Sequence, residues 1–127
     1  MARVFLVIAA AYGFLAVALG AFAAHGLQGR LEERALEIME TGVRYQMIHA
    51  LALLVVSLLL FREPSTWLAG SGWALVAGVL LFSGSLYLLA FTGIGRFGAV
   101  APIGGVLFLV GWVLLAVGGW RLMSTFE

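Results

Sequence analysis

The chain has 127 residues, 64% of them hydrophobic and 10% charged, with a mean hydropathy of +1.14 and a formal net charge of +1. A soluble globular domain carries roughly 25% charged residues, so this composition excludes one, and seven scattered arginines against six glutamates leave no nucleic-acid-binding footprint. Cysteine is absent, which excludes disulfides, thiolate metal sites and cysteine nucleophiles.

Four long apolar stretches take up most of the sequence, and unbroken runs of this length read as membrane-spanning helices rather than as alternating barrel strands. The first span is expected over residues 4–24. Arg3, the apolar run after it and Ala21-Phe22-Ala23 also follow the order of a secretory signal peptide. A run of about 20 residues is nevertheless long enough to cross the bilayer, and it is read as a span. Ala9, Gly13, Ala16, Gly20 and Ala24 recur at steps of three or four, so small residues line one face where another helix packs closely.

His25-Gly-Leu-Gln-Gly29 interrupts the pattern, and residues 30–41 resume it with Leu31, Ala35, Leu36, Ile38 and Met39 on one side. Arg30, Glu33, Arg34, Glu37 and Glu40 occupy the other side. This spacing predicts an amphipathic helix that lies in the interface or caps the bundle.

The second span is expected over residues 42–61 and ends at Arg62-Glu-Pro-Ser-Thr66, whose Pro64 cannot continue a helix interior. The third is expected over 67–91 and, after the turn Thr92-Gly-Ile-Gly-Arg-Phe-Gly98, the fourth over 99–120 with Pro102 in its first turn. Gly104, Gly111 and Gly118 recur every seven residues, the spacing of a left-handed seam of close contact. Trp67, Trp120 and Phe126 fall where interfacial aromatic belts are expected. Arg3, Arg62 and Arg121 lie on one side and Arg30, Arg34 and Arg96 on the other, so charge leaves the orientation open. The fold class expected is an all-α integral membrane protein. It is a four-transmembrane-helix bundle with an amphipathic interfacial helix between spans 1 and 2, forming a single membrane domain over residues 1–127.

Turning each residue by about 100° along a helix groups Gly42, Tyr45, Gln46, His49 and Ser57 on one side of the second span, away from Arg44 and Glu40. Intramembrane polar groups face the bundle interior and find partners there, so Gln46 and His49 are expected to reach each other or Ser83 and Ser85 of the third span. Two readings of this face stand side by side. It is a set of interhelical hydrogen bonds that holds the bundle together, or a proton or small-solute path with His49 as the titrating group.

Glu40 and Arg44 are four apart in the favourable order and are expected to form an ion pair at the membrane surface. His25 and His49 are the two histidines, and no His-x-x-x-His, Glu-x-x-His or cysteine spacing supports a metal or a haem. Ser83-Gly-Ser-Leu-Tyr87 and Pro102-Ile-Gly-Gly105 mark close backbone approach or a locally broken span. Neither serine has a base or orienting acid assigned to it, so the expectation is a protein that is not an enzyme and takes no cofactor.

Gly20-Ala-Phe-Ala-Ala-His-Gly-Leu27, Thr41-Gly-Val-Arg-Tyr-Gln-Met-Ile-His-Ala-Leu-Ala-Leu53, Leu81-Phe-Ser-Gly-Ser-Leu-Tyr87, and Pro102-Ile-Gly-Gly105 with Gly111-Trp112 occur in this order along almost the whole chain. Together they resemble the YgdD-like family of small membrane proteins, which includes eukaryotic TMEM-type relatives and is a domain of unknown function, family 423. The resemblance implies a compact multi-span helical protein and brings no activity with it. Thr41, Gly42, Tyr45, Gln46 and His49 match the family pattern Thr-Gly-x-x-Tyr-Gln-x-x-His, whereas Ala23 stands where a glycine is expected and Glu40 and Arg44 occupy positions that the pattern leaves free.

The expected location is the bacterial plasma (inner) membrane, as a multi-pass protein. The expected partners are the lipid bilayer, a second copy through the glycine-rich faces, and a lipid ligand or a membrane-protein complex. The candidate polar cluster comprises His25, Thr41, Tyr45, Gln46, His49, Ser83, Ser85 and Tyr87. Its two functional classes are a non-enzymatic packing and interaction module and a small channel or transporter on the Tyr45/Gln46/His49 face.

Overall fold

A computed structural model describes residues 1–127, and its four long helices are each long and apolar enough to cross a membrane. They are α1 (Ala2–Ala21), α2 (Glu33–Arg62), α3 (Thr66–Thr92) and α4 (Gly95–Ser124). Short connections make successive helices antiparallel neighbours.

The first helix does not stop where its α-helical bonding stops. It loosens into a π-helical turn, Phe22–Gly26, closed by Leu27 N–H donating to Phe22 O at 3.1 Å. Gly26 lets the Phe22 ring fold back, because a Cβ there would lie 2.7 Å from Phe22 Cδ1. Gly29, at a φ of +80°, then reverses the chain with the left-handed geometry that glycine adopts without steric penalty.

The amphipathic stretch expected over 30–41 is helical from Glu33 and runs without a break into the second span, so one 30-residue helix carries both. A change from amphipathic to apolar composition is not a helix breaker, and Gly42 costs only about 1 kcal/mol in a helix interior. At 1.5 Å per residue α2 is about 45 Å long against a hydrocarbon core of about 30 Å, so its first turns rise above the bilayer core. Those turns lean back onto the bundle. Leu36 and Met39 form a small apolar cluster with Ala23 and Leu27 at the end of α1 and Ala90 at the end of α3.

Glu63 and Pro64 end α2, and Ser65 caps α3 by accepting from Leu68 N–H at 3.2 Å. Gly93 at a φ of +70° closes α3, its N–H donating to Leu89 O at 2.8 Å. The fourth helix starts at Gly95 rather than near 99, which places Pro102 inside it and not in its first turn. The carbonyl that a proline at 102 crowds is that of residue 98, and Gly98 presents no side chain on that side.

The main core joins Phe5 of α1, Leu53 and Val56 of α2, Leu68 and Leu75 of α3 and Phe108 of α4. The seven-residue glycine seam of α4 is used inside the chain, against α3. A Cβ at Gly104 would lie 2.3 Å from Phe82 N, one at Gly111 2.6 Å from Leu75 Cδ2 and one at Gly118 2.8 Å from Leu68 Cγ.

Candidate functional site

The polar side chains of the spans converge on the bundle interior, and the polar face of α2 lies at their centre. Gly42, Gln46 and His49 are buried, at spacings of four and three that keep them on one stripe. Between them they meet all three other helices.

Gly42 is the seat for Tyr87. A Cβ at residue 42 would lie 2.7 Å from Tyr87 Cε1, so the bare Cα lets the α3 ring lie against α2. The Gly42 carbonyl accepts from Ser83 Oγ at 2.7 Å, a second tie between the same two helices. Held there, Tyr87 Oη donates to Gln46 Oε1 at 2.7 Å. The Gln46 amide nitrogen donates to Tyr12 O of α1 at 2.8 Å, and Tyr12 Oη donates to Val76 O of α3 at 2.9 Å. One glutamine thus bonds to both α1 and α3.

His49 connects α2 to α4. Its Nδ1 lies 2.7 Å from Tyr45 O, and its Nε2 lies 3.0 Å from Trp112 Nε1. A carbonyl oxygen only accepts and an indole N–H only donates, so Nδ1 carries the proton and Nε2 is the bare acceptor. The ring is therefore the neutral Nδ1–H tautomer with both nitrogens engaged. A second proton on Nε2 would point at the Trp112 N–H instead of at an acceptor. The imidazole also stacks on Phe108, with centroids 3.6 Å apart and planes 6° apart, and meets Trp112 edge-on at 5.8 Å.

Two serines complete the ties. Ser57 Oγ donates to Ala2 O at 2.9 Å and Ser71 Oγ donates to Gly111 O at 2.7 Å, joining α1 to α2 and α3 to α4. No buried side-chain nitrogen or oxygen lacks a hydrogen-bond partner within the protein.

The residues singled out from the sequence divide into two groups. Gln46, His49, Ser83 and Tyr87 are brought into this layer, but Gln46 and His49 bond neither to each other nor to the serines. Tyr45 packs its ring on Phe82 at 4.9 Å and is 39% exposed. Ser85 is buried but donates to Phe82 O on its own helix, and Thr41 donates to Glu37 O likewise. His25 is exposed on the π-helical turn, and Glu40 and Arg44 are exposed one turn apart on α2. Tyr12, Trp112 and Phe108 join the layer without belonging to the candidate polar cluster. For Tyr12 and Trp112 the signal is an amphipathic aromatic in mid-span, away from the interfacial belts where tyrosine and tryptophan usually sit, and Phe108 carries no such signal.

Residues 19–105 match the family described as protein of unknown function (DUF423). The chain is 44% identical over 116 residues to the UPF0382 membrane protein YwdK of Bacillus subtilis, covering 91% of this chain and 94% of that protein. It is 47% identical over 125 residues to a UPF0382 membrane protein of Haemophilus influenzae, covering 98% and 99%. It is 43% identical over 120 residues to the UPF0382 inner membrane protein YgdD of Escherichia coli, covering 94% and 92%. No solved structure matches the chain.

Proposed function

The chain belongs to the DUF423 family, and from that premise we propose a multi-pass protein of the bacterial inner membrane that is a non-enzymatic packing and interaction module. It engages a second copy, lipid or a larger membrane complex through the outer faces of its helices. The observation that carries this reading is the complete internal pairing of the polar layer, with seven interhelical side-chain hydrogen bonds and no buried polar atom left over.

A conduction path needs polar groups free to exchange partners with water or a solute. Here each polar group on the inner stripe of α2 is already engaged by a neighbouring helix. His49 holds one proton between a carbonyl and an indole, an arrangement suited to fixing two helices and poorly suited to passing a proton onward.

Proteoliposome flux of protons and small ions tests this reading, comparing wild type with His49→Ala and Gln46→Leu after circular dichroism confirms that both variants fold. The expected result is flux no higher than in empty liposomes for correctly inserted wild type, together with lowered thermal stability of both variants. Wild-type flux that disappears in the folded variants would replace the reading with a small channel or transporter on the Tyr45/Gln46/His49 face.

A further inference from the structure

We infer that the furrow along the outer side of the α1–α2 seam seats one acyl chain of an anionic phospholipid, with the lipid phosphate held at Arg3. This rests on the interaction reading above and names its partner.

Two cavities lie on this seam. One, of about 540 Å³, is lined by Ala9, Gly13, Phe14, Met47, Leu51 and their neighbours, and nine of its ten lining residues are hydrophobic. The other, of about 710 Å³, is lined by Met1, Arg3, Leu6, Ser57, Leu58, Phe61 and their neighbours. At about 100° per residue, positions 2, 6, 9, 13 and 17 share one face of α1, and positions 47, 50, 54, 58 and 61 share one face of α2. The cavities are therefore successive stretches of one furrow. From Met47 to Phe61 it runs about 21 Å at 1.5 Å per residue, a large part of the roughly 30 Å hydrocarbon core. A Cβ added at Gly13 would meet no atom within 4 Å, so no part of the protein covers the floor there.

The two ends of the furrow differ. Toward the middle of the bilayer it is lined almost wholly by apolar side chains. At the end where α1 begins, the Arg3 guanidinium brings positive charge to a lining that contains no carboxylate. Ser57 holds this mouth in place by donating to Ala2 O at 2.9 Å. An apolar channel that opens at a cationic end complements a molecule with an apolar tail and an anionic head.

A second copy of the chain fits less well. Copies inserted in one orientation associate isologously about an axis along the membrane normal, so each furrow would face the other at equal depth. The two Arg3 side chains would then confront each other across the interface. An anionic headgroup neutralises the same charges.

The test is native mass spectrometry of the full chain released from detergent with phosphatidylglycerol or with phosphatidylcholine of the same acyl chains. Wild type is expected to retain one phosphatidylglycerol with an affinity at least about fivefold above that for phosphatidylcholine, the scale of one basic side chain near an anionic surface. Arg3→Gln is expected to bring phosphatidylglycerol down toward the phosphatidylcholine level. Gly13→Leu, which fills the floor without meeting protein, is expected to weaken retention of both lipids. Gly105→Leu, at another helical glycine whose Cβ would meet nothing within 4 Å, is expected to leave retention unchanged. Equal retention of the two lipids by wild type, retention indifferent to Gly13→Leu, or dimers that Gly13→Leu dissolves would each overturn the inference. Proteoliposome flux decides the interaction reading independently: lipid selectivity lost without flux removes this inference alone, whereas flux through the α2 face removes the reading itself.

Discussion

Trp112 Nε1 donates to His49 Nε2 at 3.0 Å, and this bond fixes the charge state of a histidine buried within a membrane bundle. Tyr45 O takes the other ring nitrogen, so the imidazole has one proton and no unoccupied site. The side chain that most invites a proton-relay reading from sequence is held by these two neighbours as a neutral crosslink.

Replacing Trp112 with phenylalanine keeps the aromatic surface but leaves His49 Nε2 without a donor. We expect a loss of stability of about 0.6–1.7 kcal/mol, from the average to the largest value measured for interhelical hydrogen bonds in membranes. A double-mutant cycle of Trp112→Phe with His49→Ala, read by unfolding in mixed detergent micelles, should show positive coupling. Strictly additive effects would mean that the pair contributes no mutual stabilisation.

Gln46→Leu is expected to cost more than Tyr87→Phe. The tyrosine variant removes one interhelical bond, whereas the glutamine variant removes two, although the Tyr12 carbonyl keeps its bond within α1. An interhelical hydrogen bond in a membrane protein is worth about 0.6 kcal/mol on average, so the two variants should differ by about that much in the same unfolding measurement. Equal losses would show that water or neighbouring groups take over the abandoned partners.

Two adjacent glycines of α4 give a sharper contrast. A Cβ at residue 104 would lie 2.3 Å from Phe82 N, a backbone atom that moves only if α3 and α4 separate, while a Cβ at residue 105 would meet nothing within 4 Å. Gly104→Ala is therefore expected to destabilise by about 1–3 kcal/mol or more, and Gly105→Ala to stay within about 0.5 kcal/mol of wild type. Thermal melting of the two variants in one detergent checks the ordering, and similar melts would contradict the close α3–α4 crossing.

The two histidines should also differ in chemical access. His25 is exposed on the π-helical turn, whereas His49 is 3% exposed with both nitrogens bonded. Diethyl pyrocarbonate followed by peptide mass analysis should modify His25 rapidly and His49 far more slowly, with Trp112→Phe narrowing the gap. Comparable rates in the wild type would indicate a water-accessible imidazole and favour the conduction reading.

Hydropathy alone makes the four spans legible, because lipid leaves no alternative to long apolar helices. The stripe Gly42, Gln46, His49 is legible from helical periodicity within one span. The continuity of residues 33–62 is not, since a shift in composition looks like a boundary although no residue there breaks a helix. The early start of α4 is hidden for a related reason: Gly95 and Gly98 suggest a turn, yet both sit in a helix once the neighbouring helix is in place. The partners of the stripe are equally hidden. Tyr12 and Trp112 lie 34 and 63 positions from the residues they bond, and nothing local says which helices become neighbours. The serines donate to backbone carbonyls, which every residue possesses.

That last property carries a consequence for how such a chain tolerates change over generations. Five of the seven interhelical bonds end on main-chain oxygens, at Ala2, Tyr12, Gly42, Val76 and Gly111. An acceptor that belongs to the peptide unit cannot be deleted by altering the codon at its position. At Ala2 and Val76 only the donor half of the bond is exposed to mutation, so replacing Val76 by leucine or Ala2 by serine keeps the acceptor, whereas Gly42 and Gly111 must also stay without a Cβ for their helices to meet.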